Sequence, residues 1–262
     1  MPQITREQFL KLLAAGGASF LGLGSAVAAT QESKGPPVPW GRLKFTGENG
    51  DQEDWHVHPN GDLNLIDSVR DHTSINLEKK WNVADITDLK SMTPYPFLFM
   101  HAEIAPVLTD AERQNLREYL LRGGFLFAED CVNGYGRHGM NRENDYFFRA
   151  MKNELPNLIP GTKFEKLPNS HPIFHCFHTL NGLPLIQGIG IKGTPEAMAE
   201  HGLWGLSYHG RLMSVLSPTD LHCGWTNGPG WFTEKQNIES VQMGTNIYLF
   251  AMTQAAGLTQ PS

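Results

Sequence analysis

Long apolar runs are missing from most of this 262-residue chain. Beyond its first thirty residues no segment approaches the roughly twenty apolar positions that a membrane-crossing helix needs. The mature chain is therefore expected to be soluble, with no transmembrane anchor. An excess of basic charge is missing too: Lys and Arg number 21 against 27 Asp and Glu, for a formal net charge of −6. Nucleic acid calls for a basic stripe, and without one that class of partner is excluded. Cysteine is scarce, with only Cys131, Cys176 and Cys223. An odd count leaves at least one thiol free or paired outside the chain, and the pairing among the three stays open. No internal repeat is present, so a solenoid is not expected. What remains is an ordinary globular balance, 40% hydrophobic and 18% charged, in a chain long enough to fold without metal or disulfide.

The first thirty residues are of a different kind. Arg6 and Lys11 precede Leu12–Leu23, an uncharged run rich in Gly and Ala, and Ala26-Val27-Ala28 offers the small side chains that a signal peptidase accepts. At about a dozen residues, the run is too short to span roughly 30 Å of hydrocarbon. Residues 1–28 read as a cleavable export signal, which places the mature chain in the periplasm or otherwise outside the cytoplasm. Thr5-Arg6-Glu7-Gln8-Phe9-Leu10-Lys11 is similar to the twin-arginine motif in degenerate form, since Glu7 stands in place of the second arginine. The twin-arginine and general secretory routes both stay open. Residues 29–39, polar and proline-rich, read as a linker, and residues 40–257 as a single α/β domain.

Leu43-Lys44-Phe45 alternates as a short strand ending at Gly47. Leu63, Ile66, Val69 and Ile75 have the spacing of an amphipathic helix entered at Asp62. Pro96–Met100 and Phe125–Ala128 are bounded apolar runs, as expected for strands buried on both faces. Between them, Thr109-Asp110-Ala111-Glu112 is a capping box. Leu116, Tyr119 and Leu120 follow as an apolar stripe, and Gly123-Gly124 as a carboxyl cap. Strand, helix and strand with short connections make a βαβ unit, which demands a parallel pair. A further helix is expected over Asn144–Leu155, with Phe147, Phe148 and Met151 on one face. Leu203–Tyr208 and Arg211–Ser217 flank His209-Gly210 as a C-terminal β-hairpin. A last helix is expected over Asn237–Ala256, with Val241, Tyr248, Leu249 and Met252 inward.

Several of these landmarks resemble a bacterial family known only as domain of unknown function 4159. The likeness rests on Tyr95–Met100, the helix Thr109–Arg122, Gly123–Cys131, His171-Pro172-Ile173-Phe174, Gly210-Arg211-Leu212 and Asp220-Leu221-His222-Cys223-Gly224-Trp225. It runs from about Trp40 to Ala255, with Glu129 departing from the paired aspartates of the family. The resemblance implies a three-layer α/β sandwich with a mostly parallel central sheet, similar to class I glutamine amidotransferases and the ThuA-like proteins. It brings no activity with it. An amidotransferase nucleophile would sit on a sharp turn straight after a strand. The chain after Phe97–Met100 reads His101-Ala102-Glu103-Ile104, without Cys or Ser, so that mechanism is not expected.

In open α/β sheets, ligands collect at the carboxyl ends of parallel strands. His101 and Glu103 follow one such strand, and Glu129, Asp130 and Cys131 another. His101, Glu129 and Asp130 are ligand-binding candidates there, although Asp130 could equally cap the loop 132–140 and His101 bond backbone. Arg211 could clamp a carboxylate or phosphate, or form a structural pair with Asp220. Asp220 and Trp225 complete the ligand set, Trp225 with Trp231 serving either to stack on a sugar or to pack the core. Asp130 and His171 are the acid/base candidates.

The metal candidates are His56 and His58, which share a side if their segment is extended, and His171 and His175, close to Cys176 and His178. A divalent metal is the cofactor such residues would hold. Cys131 and Cys223 could instead meet as a structural disulfide. Two functional readings follow. The first is an exported, non-enzymatic module that binds a small molecule or an exported or membrane protein partner. The alternative is a periplasmic, metal-assisted enzyme acting on carbohydrate or a related small molecule.

Overall fold

The computed structural model describes residues 35–58, 60–131, 146–186, 201–226 and 232–254. The signal at residues 1–28, the loop 132–140 and Trp231 lie outside the described residues. The described strands are β1 (Val38–Lys44), β2 (Leu77–Asp85), β3 (Phe97–Ala102), β4 (Phe125–Asp130), β5 (Phe164–Lys166), β6 (Trp204–Tyr208) and β7 (Arg211–Ser217). The helices are α1 (Asn60–His72), α2 (Leu89–Met92), α3 (Asp110–Leu121), α4 (Tyr146–Leu158), α5 (Leu221–Trp225) and α6 (Glu234–Gln254). One seven-stranded sheet takes the order β2-β1-β3-β4-β7-β6-β5. Strands β2, β1, β3, β4 and β7 pair in parallel, while β6 and β5 continue the sheet antiparallel. No helix among the described residues is long and apolar enough to cross a membrane.

Alternation along β3 and β4 builds two cores. Both strands are buried at every position, and successive side chains point to opposite faces. Leu98, Met100, Leu126 and Ala128 pack with Leu116 and Tyr119 of α3 and Phe147 of α4. Phe97, Phe99, Phe125 and Phe127 pack on the other face with Leu65 of α1, Trp225 of α5 and Ile247 of α6. Each leucine, isoleucine, methionine or phenylalanine among them contributes about 1.5–3 kcal/mol by burial.

Helix α3 carries its expected ends. Thr109 and Glu112 form the reciprocal capping box. At the carboxyl end, Gly123 N–H donates to Leu120 O and Gly124 N–H to Tyr119 O, with Gly123 at φ 110. That is a Schellman closure, which favours glycine at the positive-φ position. A Cβ on Gly124 would lie 2.3 Å from the Tyr119 ring, so glycine is required there too.

Elsewhere the boundaries differ from expectation. Strand β1 begins at Val38, inside the stretch read as linker, and its register shifts between Val38 and Trp40 where Pro39 lacks an N–H. Helix α1 starts at Asn60 and ends at His72, so Asp62 sits within its first turn and Ile75 beyond its end. Edge strand β2 escaped notice because its sequence is mostly polar and half-exposed. Tyr248 and Leu249 of α6 are buried, whereas Val241 and Met252 are only half-buried. Strands β6 and β7 pair across His209-Gly210, both at positive φ (49 and 78).

Candidate functional site

On the face covered by α1, α5 and α6, three neighbouring parallel strands turn from aromatic to polar at their carboxyl ends. Trp40 gives way to Arg42 in β1, Phe97 and Phe99 to His101 in β3, and Phe125 and Phe127 to Glu129 in β4. The register sets Arg42 opposite Phe99 and His101 opposite Glu129. Asp62 from α1 and His222 from α5 close over them. Arg42 Nη1 lies 3.5 Å from Asp62 Oδ2, and His222 Nε2 lies 3.0 Å from Asp62 Oδ1. The His101 and His222 rings are 4.3 Å apart, and His101 Nδ1 is 3.6 Å from Glu129 Oε2. The Arg42 guanidinium stands 5.6 Å over the Phe99 ring, and its Nη2 donates to Val57 O at 2.9 Å. Arg42, Asp62, His101, Glu129 and His222 are all fully buried. Gly61 permits the close approach of α1 to α5, since a Cβ there would meet His222 Nε2 at 2.8 Å.

Burial dominates the electrostatics. It pushes both imidazoles, His101 and His222, well below the ordinary histidine range, helped at both by Arg42 and His58 and at His101 also by His222. Burial and the nearby Asp220 push Glu129 well above the usual carboxylate range. The His101–Glu129 contact is therefore one between an uncharged imidazole and a carboxyl held above its usual range, rather than a salt bridge. Asp62 is pushed up to about 6 because burial outweighs the attraction of Arg42. Several of these atoms make no hydrogen bond: Arg42 Nε and Nη1, Asp62 Oδ2, both ring nitrogens of His101, and His222 Nδ1. A buried polar group left in that state costs about 1–3 kcal/mol.

The expected strand-end candidates divide between the two faces. Glu129 belongs to the cluster, and its carboxylate also accepts from Leu221 N and His222 N at 2.7 and 3.0 Å, which seats the start of α5. Asp130 points to the opposite face, where Oδ2 accepts from Phe148 N at 2.5 Å in the first turn of α4. His101 lies at the centre of the cluster, against Glu129 and His222. Asp220 is buried at the amino end of α5, close to Cys131 and Cys223.

Other expected candidates fall elsewhere, except His58, which lies within electrostatic reach of His101 and His222. Arg211 donates to Leu120 O and to Gly124 O, closing the carboxyl end of α3, and makes no bridge to Asp220. Trp225 is fully buried beside Phe99 and Phe127, with Nε1 donating to Ser240 O, so it packs the core and offers no face to a sugar. His171 caps the short helix Pro172–Phe174 and rests on Phe250. Phe250 lies near Gln254, which accepts from Leu212 N at the start of β7. His171 is thus at the opposite edge of the sheet from Asp130, and the two do not form an acid/base pair. His175 Nε2 lies 2.8 Å from Asn169 O. The segment of His56 and His58 is not extended: Asp54–His56 is a single helical turn and His58 has φ 51. That local turn removes the alternation which would have put both imidazoles on one side.

Arg42, Asp62 and His222 were not among the expected site residues. One signal was available in the chain: Trp40 and Arg42 repeat, one strand over, the aromatic-then-polar spacing of Phe99 and His101. Asp54 was missed as well. Its Oδ2 accepts from Glu103 N and Ile104 N at 2.8 and 3.0 Å and so fixes the turn after β3. A separate groove of about 460 Å³ lies between α1 and α6, lined by Asn64, Ser68, His72, His178, Ile238 and Gln242 among others.

The sequence model of a family described as a domain of unknown function, DUF4159, matches residues 41–252. No curated protein matches the chain. The chain belongs to the DUF4159 family.

Proposed function

We propose, with that membership as premise, that this is an exported, non-enzymatic module that binds a small polar ligand at the carboxyl edge of its parallel strands. The observation that carries the reading is the set of unmade hydrogen bonds on Arg42, Asp62, His101 and His222, all fully buried. Such groups are costly to a fold, and folds retain them where a ligand engages them. The strand order and the cores on both faces fit the three-layer, class I glutamine amidotransferase-like sandwich. Thiol chemistry has little support, because contact with Cys223 and then burial push the Cys131 thiol up and away from its reactive thiolate.

Ligand-induced thermal stabilisation tests the reading. A ligand at a hundredfold excess over its dissociation constant adds about 2.7 kcal/mol to stability. A panel of small polar compounds should contain one that shifts wild type and fails to shift Arg42→Met and His101→Ala. A shift that persists undiminished in both variants refutes the location. Export has its own test: periplasmic material should begin near Ala29, and recovery of protein that begins at Met1 would rule the signal out. Glu7→Arg should raise export if the twin-arginine route is used.

A further inference from the structure

We infer that Cys131, Asp220 and Cys223 form a binding site for one borderline divalent cation, with zinc the best fit. Cys131 follows β4 directly, while Asp220 and Cys223 come from the amino end and body of α5, so two separate parts of the chain supply the donors. One donor atom from each of the three lies within 4.8 Å of the others, and all three residues are buried. Two thiolates on a tetrahedral zinc, with Zn–S bonds of about 2.3 Å, stand about 3.8 Å apart. Cys131 Sγ and Cys223 Sγ are 3.8 Å apart and are not bonded to each other.

The surroundings favour a cation as well. Asp220, Glu129 and Glu103 all lie within electrostatic reach of Cys223, and these three acids outnumber the Arg42 guanidinium, which reaches both thiols but also faces Asp62. Thiolates select zinc or a softer ion over magnesium and calcium, which prefer all-oxygen shells. As the ion binds, each thiol gives its proton to solvent while its sulfur–metal bond forms, and the Asp220 carboxylate supplies a third donor. Three protein donors leave a tetrahedral ion one position for a small-molecule donor. The site extends the proposed binding role but does not depend on it, because Arg42 and His101 are not among its donors.

Cobalt(II) is the probe. Reduced full-length protein should take up one equivalent and develop a thiolate-to-cobalt charge-transfer band with the strong visible bands of a tetrahedral site. Zinc should bleach both. Cys131→Ser and Cys223→Ser should lose the charge-transfer intensity, and Asp220→Asn should weaken uptake by at least about tenfold. Cys176→Ser should bind as wild type does, because that sulfur contacts Asn246 O and Ile173 O instead. Circular dichroism establishes that each variant is folded, and the wild-type spectrum stands whether or not they are. A folded, reduced wild type without the charge-transfer band overturns the site. So does a band that survives in both serine variants, or a Cys131–Cys223 disulfide in protein isolated anaerobically. Arg42→Met should still bind cobalt, which separates failure of this site from failure of the ligand reading.

Discussion

Replacing Asp62 by asparagine should leave the protein as stable at neutral pH, or make it more stable. The reasoning starts from the poor geometry of the buried pair. Arg42 Nη1 and Asp62 Oδ2 are 3.5 Å apart with neither atom hydrogen-bonded, so the attraction does not repay removal of two charges from water. The consequence is visible in Asp62 itself, pushed up to about 6 against an ordinary 3.8. Each unit is worth about 1.4 kcal/mol, so the ionised carboxylate costs the fold up to about 3 kcal/mol relative to a neutral group of the same shape. Asparagine is that neutral group, and His222 Nε2 can meet either its oxygen or its amide by choice of tautomer.

The pH dependence has a definite sign. Between about pH 4 and pH 6 the folded chain still holds the Asp62 proton and the unfolded chain has lost it. The folded state binds more protons across that window, so this carboxyl lowers wild-type stability as pH rises through it. The asparagine variant lacks this slope. Unfolding curves at pH 4 should therefore nearly coincide, and by pH 7 the variant should lead by up to about 3 kcal/mol. For a domain of this size each kcal/mol shifts Tm by about 2–4 °C, so the gap is measurable by calorimetry or by dichroism. A variant destabilised at pH 7 by about 3–5 kcal/mol, the cost of breaking a well-made buried pair, would refute the reasoning.

Gly61→Ala should destabilise by about 1–3 kcal/mol in urea unfolding despite alanine's better helix propensity, because its Cβ would meet His222 Nε2 at 2.8 Å. Arg211→Ala should cost about 1.5–3 kcal/mol through loss of charged hydrogen bonds to the end of α3, with ligand and cobalt binding unchanged. Asp130→Ala should lower stability by about 0.5–2 kcal/mol as an amino-terminal cap of α4 is lost. Loss of ligand binding without loss of stability would return Asp130 to the site.

Much of the parallel core was legible because its signals are local. The capping box, the double glycine after α3 and the two apolar runs each act within a dozen residues, and α3 stands where they put it. Strand β2 was not legible, since an edge strand that faces solvent need not alternate and this one carries Glu78, Lys79 and Lys80. The site was half legible. His101 and Glu129 follow their strands directly, but Asp62 reads as a helix-entry residue until Arg42, twenty positions earlier, draws it inward. His222 likewise becomes a site residue only through packing of α5 against α1, a contact between positions 160 residues apart.

The misplaced candidates share one physical cause. Position past a strand end says which edge a residue occupies, but the face is set by parity along the strand. Glu129 and Asp130 are neighbours in sequence, yet one meets His101 and the start of α5 while the other caps α4. Once faces are separated, the α3/α4 side of the edge carries an aspartate engaged at a helix start, which stability alone explains. The α1/α5/α6 side carries neutral imidazoles, a half-satisfied guanidinium and an acid held above its ordinary range, which stability alone does not explain. A polar residue beyond a buried strand is therefore better judged by what its face leaves unbonded than by its place in the chain.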